Sequence, residues 1–303
     1  MADQKPGAFQ RGLCYKASMN TSTRQALGWM TVFLSAFCFY ISTVIIRWSQ
    51  SEVVIAPSYF VFVRFVLGFL VVCIIMACQK RVPTPRSYHL LIGRTIANCV
   101  AVYCFYMAVQ QTTIAEANIL NMTYPVFVAI LSWVFLHQQR DWMALLMVGV
   151  AFVGVWLILA PGRIDFRIGN LWGLASGVSA SFAILYLNVS RQYHDTNTVL
   201  FFMFGLGTVI ILALFHSSFF WPNQTALFYL LMCAGFGVAG QYLLTIGFRY
   251  VTAVEGSIIS SMRIFLAALL GPVVASEPAL THTGWMGALL LFCANAVLAY
   301  RRK

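Results

Sequence analysis

Apolar stretches of about twenty residues follow one another along nearly the whole chain, with short polar breaks between them. A helix of that length, rising 1.5 Å per residue, spans a hydrocarbon core of about 30 Å. Ten such stretches are predicted, at approximately 27–46, 57–78, 89–109, 112–136, 142–160, 170–190, 198–218, 226–247, 251–275 and 282–300. The pattern predicts an all-α integral membrane protein of ten transmembrane helices. The breaks are too short to hold a soluble catalytic domain.

The two halves of the chain match. At a constant offset of 139 residues, Thr113/Thr252, Glu116/Glu255, Ile119/Ile258, Ala129/Ala268 and Leu131/Leu270 are identical, and most positions between them exchange one apolar residue for another. With five spans in each half, the second begins in the opposite direction to the first, so the two five-helix repeats are inverted, as in many secondary transporters. The expected boundaries are an N-terminal tail over 1–26, a first repeat over 27–160, a second over 161–300 that opens with the connector PGRIDFRIGN (161–170), and a basic C-terminus over 301–303.

Composition agrees: 61% of the residues are hydrophobic and 9% charged, against roughly 25% charged in soluble domains. The net charge of +11 reads as orientation and not as nucleic-acid binding. With the N-terminus inside, thirteen Lys and Arg lie on the cytoplasmic side, only Arg47, Arg163 and Arg167 lie outside, and Arg64, Arg94 and Arg263 fall within spans. This positive-inside bias puts both termini in the cytoplasm. Trp48, Trp142, Trp172, Trp221 and Trp285 fall near span ends, as interfacial residues do. The eight cysteines show no CxxC spacing and read as buried thiols. The first apolar run has no small-residue cleavage site behind it and reads as a retained span.

Within the spans, Gly173-x-x-x-Gly177 and the group Gly235, Gly237 and Gly240 have the spacing of close helix contacts. Pro125 lies mid-span in the fourth helix and Pro272 late in the ninth, where the missing N–H kinks or loosens a helix. The 139-residue offset does not superimpose these prolines, so the halves are expected to bend differently.

Taken together, Arg64 in FVFVRFVLGFLVV, Arg94 in LLIGRTIANCVAVYCFYMAV, AEANILNMTYPVFVAILSW from Ala115 to Trp133, and the glycines at 149 and 154 resemble the ten-span EamA-type branch of the drug/metabolite transporter superfamily. The resemblance runs from Gly28 to Tyr300. It departs from the family where Gly-Glu often follows the fourth span: this chain has His137-Gln138-Gln139 there, and Ser276-Glu277 at the corresponding place in the second half. The resemblance implies a secondary carrier working by alternating access, with a substrate cavity between its halves, placed in a bacterial inner membrane as a monomer or homodimer.

Carboxylates and guanidiniums are costly in hydrocarbon, so those within spans are candidate substrate-binding or gating residues. Counted along the helices, Glu116 is roughly 6 Å, Arg64 roughly 10 Å and Arg263 roughly 12 Å from the outer edge, while Glu255 and Arg94 are roughly 6 to 8 Å from the inner edge. An outer group of Glu116 with Arg64 and Arg263, and an inner pair of Glu255 with Arg94, are expected to form and break alternately. An unpaired glutamate would take up a proton, which makes protons a candidate coupling ion. The plainer alternative is that Arg94 snorkels to the headgroups and Glu255 caps its helix. Tyr40, Tyr103, Tyr106, Asn118, Asn121, Tyr124, Tyr186, Gln241 and Ser257 complete the expected cavity. Aromatic rings beside carboxylates suit a cation and arginines suit a carboxylate, so the expected substrate is a zwitterion such as an amino acid, or an organic cation. The alternatives are a nucleotide-like metabolite imported by the same fold and a non-transporting membrane scaffold. No cofactor is expected: the five histidines have no metal-ligand spacing, and no nucleotide-binding or hydrolase motif occurs in a suitable setting, so an enzyme is not the reading.

Overall fold

A computed structural model describes residues 21–135, 142–159, 168–251, 253–276 and 278–300. The expectations for the N-terminal tail up to residue 20, His137-Gln138-Gln139, the connector from 160 to 167, Glu277 and the C-terminal 301–303 lie outside these residues. So do those for the side chains of Glu255 and Ser257.

The described residues form helices and no strand. In chain order these are α1 (Thr21–Glu52), α2 (Pro57–Cys78), α3 (Tyr88–Gln111), α4 (Ile114–Asn121), α5 (Tyr124–Phe135), α6 (Trp142–Leu159), α7 (Ile168–Tyr193), α8 (Thr196–Phe215), α9 (Gln224–Gly247), α10 (Ala253–Val274) and α11 (His282–Tyr300), with a 3₁₀ turn at His216–Ser218. Among the described residues six helices are long and apolar enough to cross a membrane: α1, α2, α3, α7, α8 and α9. Shorter apolar stretches lie at Leu146–Ile158 in α6 and Ile259–Val274 in α10. Local chemistry sets several starts. Pro57 opens α2, where its missing N–H costs nothing. Asn223 caps α9 by accepting from the Ala226 N–H at 2.8 Å.

Helix pairing keeps its pattern when the halves are exchanged. α1 packs on α9 as α7 packs on α3, while α2 on α8 and α6 on α11 are pairs of equivalent members. The cores divide accordingly. One cluster, around Phe60, Phe65, Tyr106, Phe204 and Leu230, fills the space among α1, α2, α3, α8 and α9. A second, around Ile119, Leu120, Val155, Ile264 and Leu291, lies among α4, α5, α6, α10 and α11.

The expected fourth span is broken into α4 and α5 at Met122-Thr123, while its counterpart α10 runs unbroken with Pro272 inside its last turn. The cause is Pro125, which has no N–H to return to the Asn121 carbonyl. Around the break, neighbouring backbone groups find partners within the protein. Met122 N donates to Asn118 O at 3.0 Å and Thr123 N to Leu120 O at 3.2 Å. The Thr123 hydroxyl donates to the same carbonyl at 2.6 Å, and Asn295 of α11 donates through Nδ2 to Met122 O at 3.1 Å. In a membrane such partners must come from the protein itself.

The glycines of α7 make room for this break. A Cβ at Gly173 would lie 2.8 Å from Leu120 Cβ, and one at Gly177 would lie 2.9 Å from Leu120 O, a backbone atom already fixed by Thr123. Gly235 differs from its expected role in helix packing, because nothing lies within 4 Å of a Cβ built there. Gly177→Ala should therefore lower the thermal unfolding midpoint of the detergent-solubilised protein, by about 1–3 kcal/mol in free energy. Gly235→Ala should be neutral or stabilising, by about 0.5–1 kcal/mol. Equal effects of the two would refute this account of Gly177.

Candidate functional site

Between the halves lies a cavity of about 110 Å³ lined by residues of α1, α2, α3, α7, α9 and α10 together with the broken fourth span. Six of the eight sequence-predicted site residues line it: Arg64, Arg94, Asn121, Tyr124, Gln241 and Arg263. All three intramembrane arginines thus meet in one place, at 4%, 2% and 6% exposure for Arg64, Arg94 and Arg263.

Each guanidinium has a different setting. Arg64 projects from α2 beneath a notch in α9, where a Cβ at Gly237 would lie 2.9 Å from Arg64 Cδ. Its Nη1 donates to the Tyr106 hydroxyl at 3.0 Å. That hydroxyl lies 3.2 Å from Ser42 Oγ, which in turn lies 3.1 Å from Cys233 Sγ. Arg263 projects from α10 to the C-terminal end of α4, where its Nη2 donates to Asn121 Oδ1. A cation suits that end of a helix dipole. Asn121 is held in place by donating through Nδ2 to Ser176 Oγ of α7 at 3.0 Å.

Phe39 of α1 serves both side chains: its ring centroid lies 5.3 Å from Arg64 Cζ and 5.7 Å from Arg263 Cζ. Phe105 adds a second ring to Arg263 at 5.2 Å, and Tyr106 a second to Arg64 at 6.0 Å. Negative ring faces offset part of the cost of burying a cation. Gly240 gives Phe39 its place, since a Cβ there would stand 3.0 Å from the ring.

Arg94 of α3 has no ring partner among the described residues, and its Nε has no hydrogen-bond partner. The Nε atoms of Arg64 and Arg263, Nδ2 of Asn98 and Nε2 of Gln241 are in the same condition. Every one of these atoms is a donor, and all five residues line the cavity. Among the described residues no carboxylate lines it.

The expected outer group of Glu116 with Arg64 and Arg263 is therefore not what this structure contains. Glu116 is absent from the cavity lining. It lies in the first turn of α4 and closes a capping box: Thr113 N donates to Glu116 Oε2 at 3.2 Å, and Glu116 N donates to Thr113 Oγ1 at 3.1 Å. The helix-start carboxylate is thus used locally, where the dipole favours an anion. The T-x-x-E signature of this cap stands in the sequence at 113–116 and again at 252–255. Arg94 does not snorkel; it is buried in the cavity wall. Its expected partner Glu255 lies outside the described side chains.

Some lining residues escaped the sequence reading. Phe39 and Phe105 sit in apolar helices where a ring that holds a cation looks like any core residue. Ser35, Asn98 and Ser260 line the cavity as polar residues within spans, and their polarity was the available signal.

The model of the EamA-like transporter family matches residues 26–160 and again 167–300. The chain belongs to the EamA-like transporter family. It is thus a multi-pass integral membrane protein of a family whose members move small molecules, and the double match coincides with the exchange symmetry of the helix packing. An uncharacterized transporter of Archaeoglobus fulgidus is 26% identical over 79% of this chain and 85% of its own length. The pseudopaline exporter CntI of Pseudomonas aeruginosa is 23% identical over 89% of this chain and 95% of its own length. Human solute carrier family 35 member G1 is 26% identical over 91% of this chain and 80% of its own length. A solved crystal structure superposes with a TM-score of 0.61 at 20% identity, covering 93% of this chain and 99% of the other, which shows the shared fold.

Within this EamA-like protein, Tyr106 supplies the hydrogen bond that Arg64 makes. Tyr106→Phe should destabilise the folded state by about 1.5–3 kcal/mol, the range for a hydrogen bond to a charged group. Thermal unfolding in detergent reads this directly, and an unchanged midpoint would show that the bond does not hold Arg64.

Proposed function

We propose that this EamA-like protein is a secondary carrier that moves a small metabolite bearing a carboxylate or phosphate group, alternating access to a site on Arg64, Arg94 and Arg263. One observation carries the reading: three buried guanidiniums line a single cavity whose unsatisfied polar atoms are donors, with no described carboxylate beside them. A buried cation without a counter-charge is costly, and an anionic ligand meets that need while leaving water. Guanidiniums suit carboxylate and phosphate because their planar forks match two oxygens at once.

Of the substrates expected from sequence, the zwitterion is kept, since it presents a carboxylate. The bare organic cation is set aside because the described charges in the cavity are all positive. The family match supports transport as the activity, and the lining from both halves supports alternating access about this site.

Thermal unfolding with a panel of carboxylates, amino acids, inorganic phosphate and polyamines tests the reading. A ligand at 100 times its Kd should stabilise the protein by about 2.7 kcal/mol. The anion-bearing compounds should give that shift, and Arg94→Gln and Arg263→Gln should weaken it at least about tenfold in apparent Kd, the effect of losing a charge-assisted hydrogen bond of ~1.4 kcal/mol or more. Uptake into proteoliposomes should follow the same order. Stabilisation by polyamines alone, or binding that survives both substitutions, would overturn it.

A further inference from the structure

A second cavity, of about 580 Å³, opens where α2 turns into α3 and α7 into α8. Its lining includes Lys80, Arg81, Arg86, Arg191, His194 and Asp195. Four cations thus face a single described carboxylate. None of these residues belongs to the cavity between the halves.

The loop that carries three of these cations is docked and not loose. Lys80 turns the chain at the end of α2 with φ of 50°, while its N–H and that of Arg81 donate back to Ala77 O and Met76 O at 3.0 Å. Thr84 N donates to Thr198 Oγ1 at 3.2 Å, and Asn197 Nδ2 donates to Gln79 Oε1 at 3.3 Å. The third attachment is made by His194, whose Nε2 accepts from Arg86 N at 2.9 Å and Ser87 N at 3.2 Å. An Nε2 that accepts twice leaves the ring proton on Nδ1, which faces Ser190 O at 3.0 Å. His194 is therefore a neutral clasp and adds no fifth charge. The loop backbone is fixed on the α7–α8 corner beside Arg191, which stands in the last turn of α7.

Holding four like charges around one cavity costs electrostatic energy that free side chains would relieve by moving apart. A multivalent oxyanion offsets that repulsion and matches the guanidiniums in geometry. The tyrosines point the same way: Tyr193, at 49% exposure, lines the cavity at the end of α7, and Tyr88, at 58%, opens α3 two residues after Arg86. Exposed tyrosines at helix ends belong at headgroup level, and basic pockets between helices at that level hold lipid headgroups.

We propose that this docked basic cradle binds a phosphate group, delivered by an anionic lipid headgroup or by a free phosphate compound. The full-length protein, delipidated in a neutral detergent, is titrated with phosphatidylglycerol, with phosphatidylcholine and with inorganic phosphate while thermal unfolding is followed. Phosphatidylglycerol should raise the unfolding midpoint where phosphatidylcholine does not, and the apparent affinity should fall about tenfold or more in Arg86→Gln/Arg191→Gln. A response to phosphatidylglycerol alone identifies a lipid headgroup as the source; a response to inorganic phosphate that is lost in the same variant identifies a soluble one. Should the double variant fail to fold, Lys80→Gln/Arg81→Gln carries the same test from the other side of the cavity. No response to either probe, or a response that the cradle variants leave intact, overturns the proposal.

Discussion

Hydrocarbon offers no hydrogen bonds, so the backbone groups inside the bundle must be met by another part of the protein. The break in the fourth span shows how far this constraint reaches. Pro125 removes one backbone donor, and at the break Thr123 and Asn295 of α11 donate to the adjacent carbonyls while two glycines of α7 give the segment room. The break also brings Asn121 to the end of a short helix, where it receives Arg263 from the other half. One missing N–H thus joins four helices at the wall of the cavity.

Side chains without volume position those with charge. Gly237 and Gly240 lie on the face of α9 that receives Arg64 and Phe39. A methyl group at either position would push against the cation or against the ring beside it. The cost of keeping arginines in the membrane is offset in part by aromatic faces, a phenol oxygen and an amide, while several donor atoms of the residues that line the cavity keep no hydrogen-bond partner. These dipoles and rings lower the cost of the buried charge without cancelling its sign, as the proposed binding of an anion requires.

Much of this was legible in the sequence because membrane solvation writes a coarse, regular signal. Apolar runs predicted the helices, the offset of 139 residues predicted the two halves, and Pro125 marked the break. Arg64, Arg94 and Arg263 stood out as charges in the wrong solvent, and the structure gathers them into one cavity. Depth along a helix, however, says nothing about which face a side chain occupies. Arg64 and Glu116 share a depth range, yet one turns to the cavity and the other to its own helix start. The carboxylate at 116 looked functional because it is charged and repeated, while the threonine three residues before it, repeated with it, carried the better explanation. Phe39 was illegible for the opposite reason: a ring that holds two cations differs from a core ring only in what approaches it.

Phe39 has a mechanical meaning beyond the burial of charge. Its ring lies against Arg64 from the first half and Arg263 from the second, so it acts as a clutch plate between the two. In the carrier proposed above, a motion that draws α2 away from α10 strips the ring from one arginine and leaves that guanidinium free for an anion, with no carboxylate needed to throw the switch.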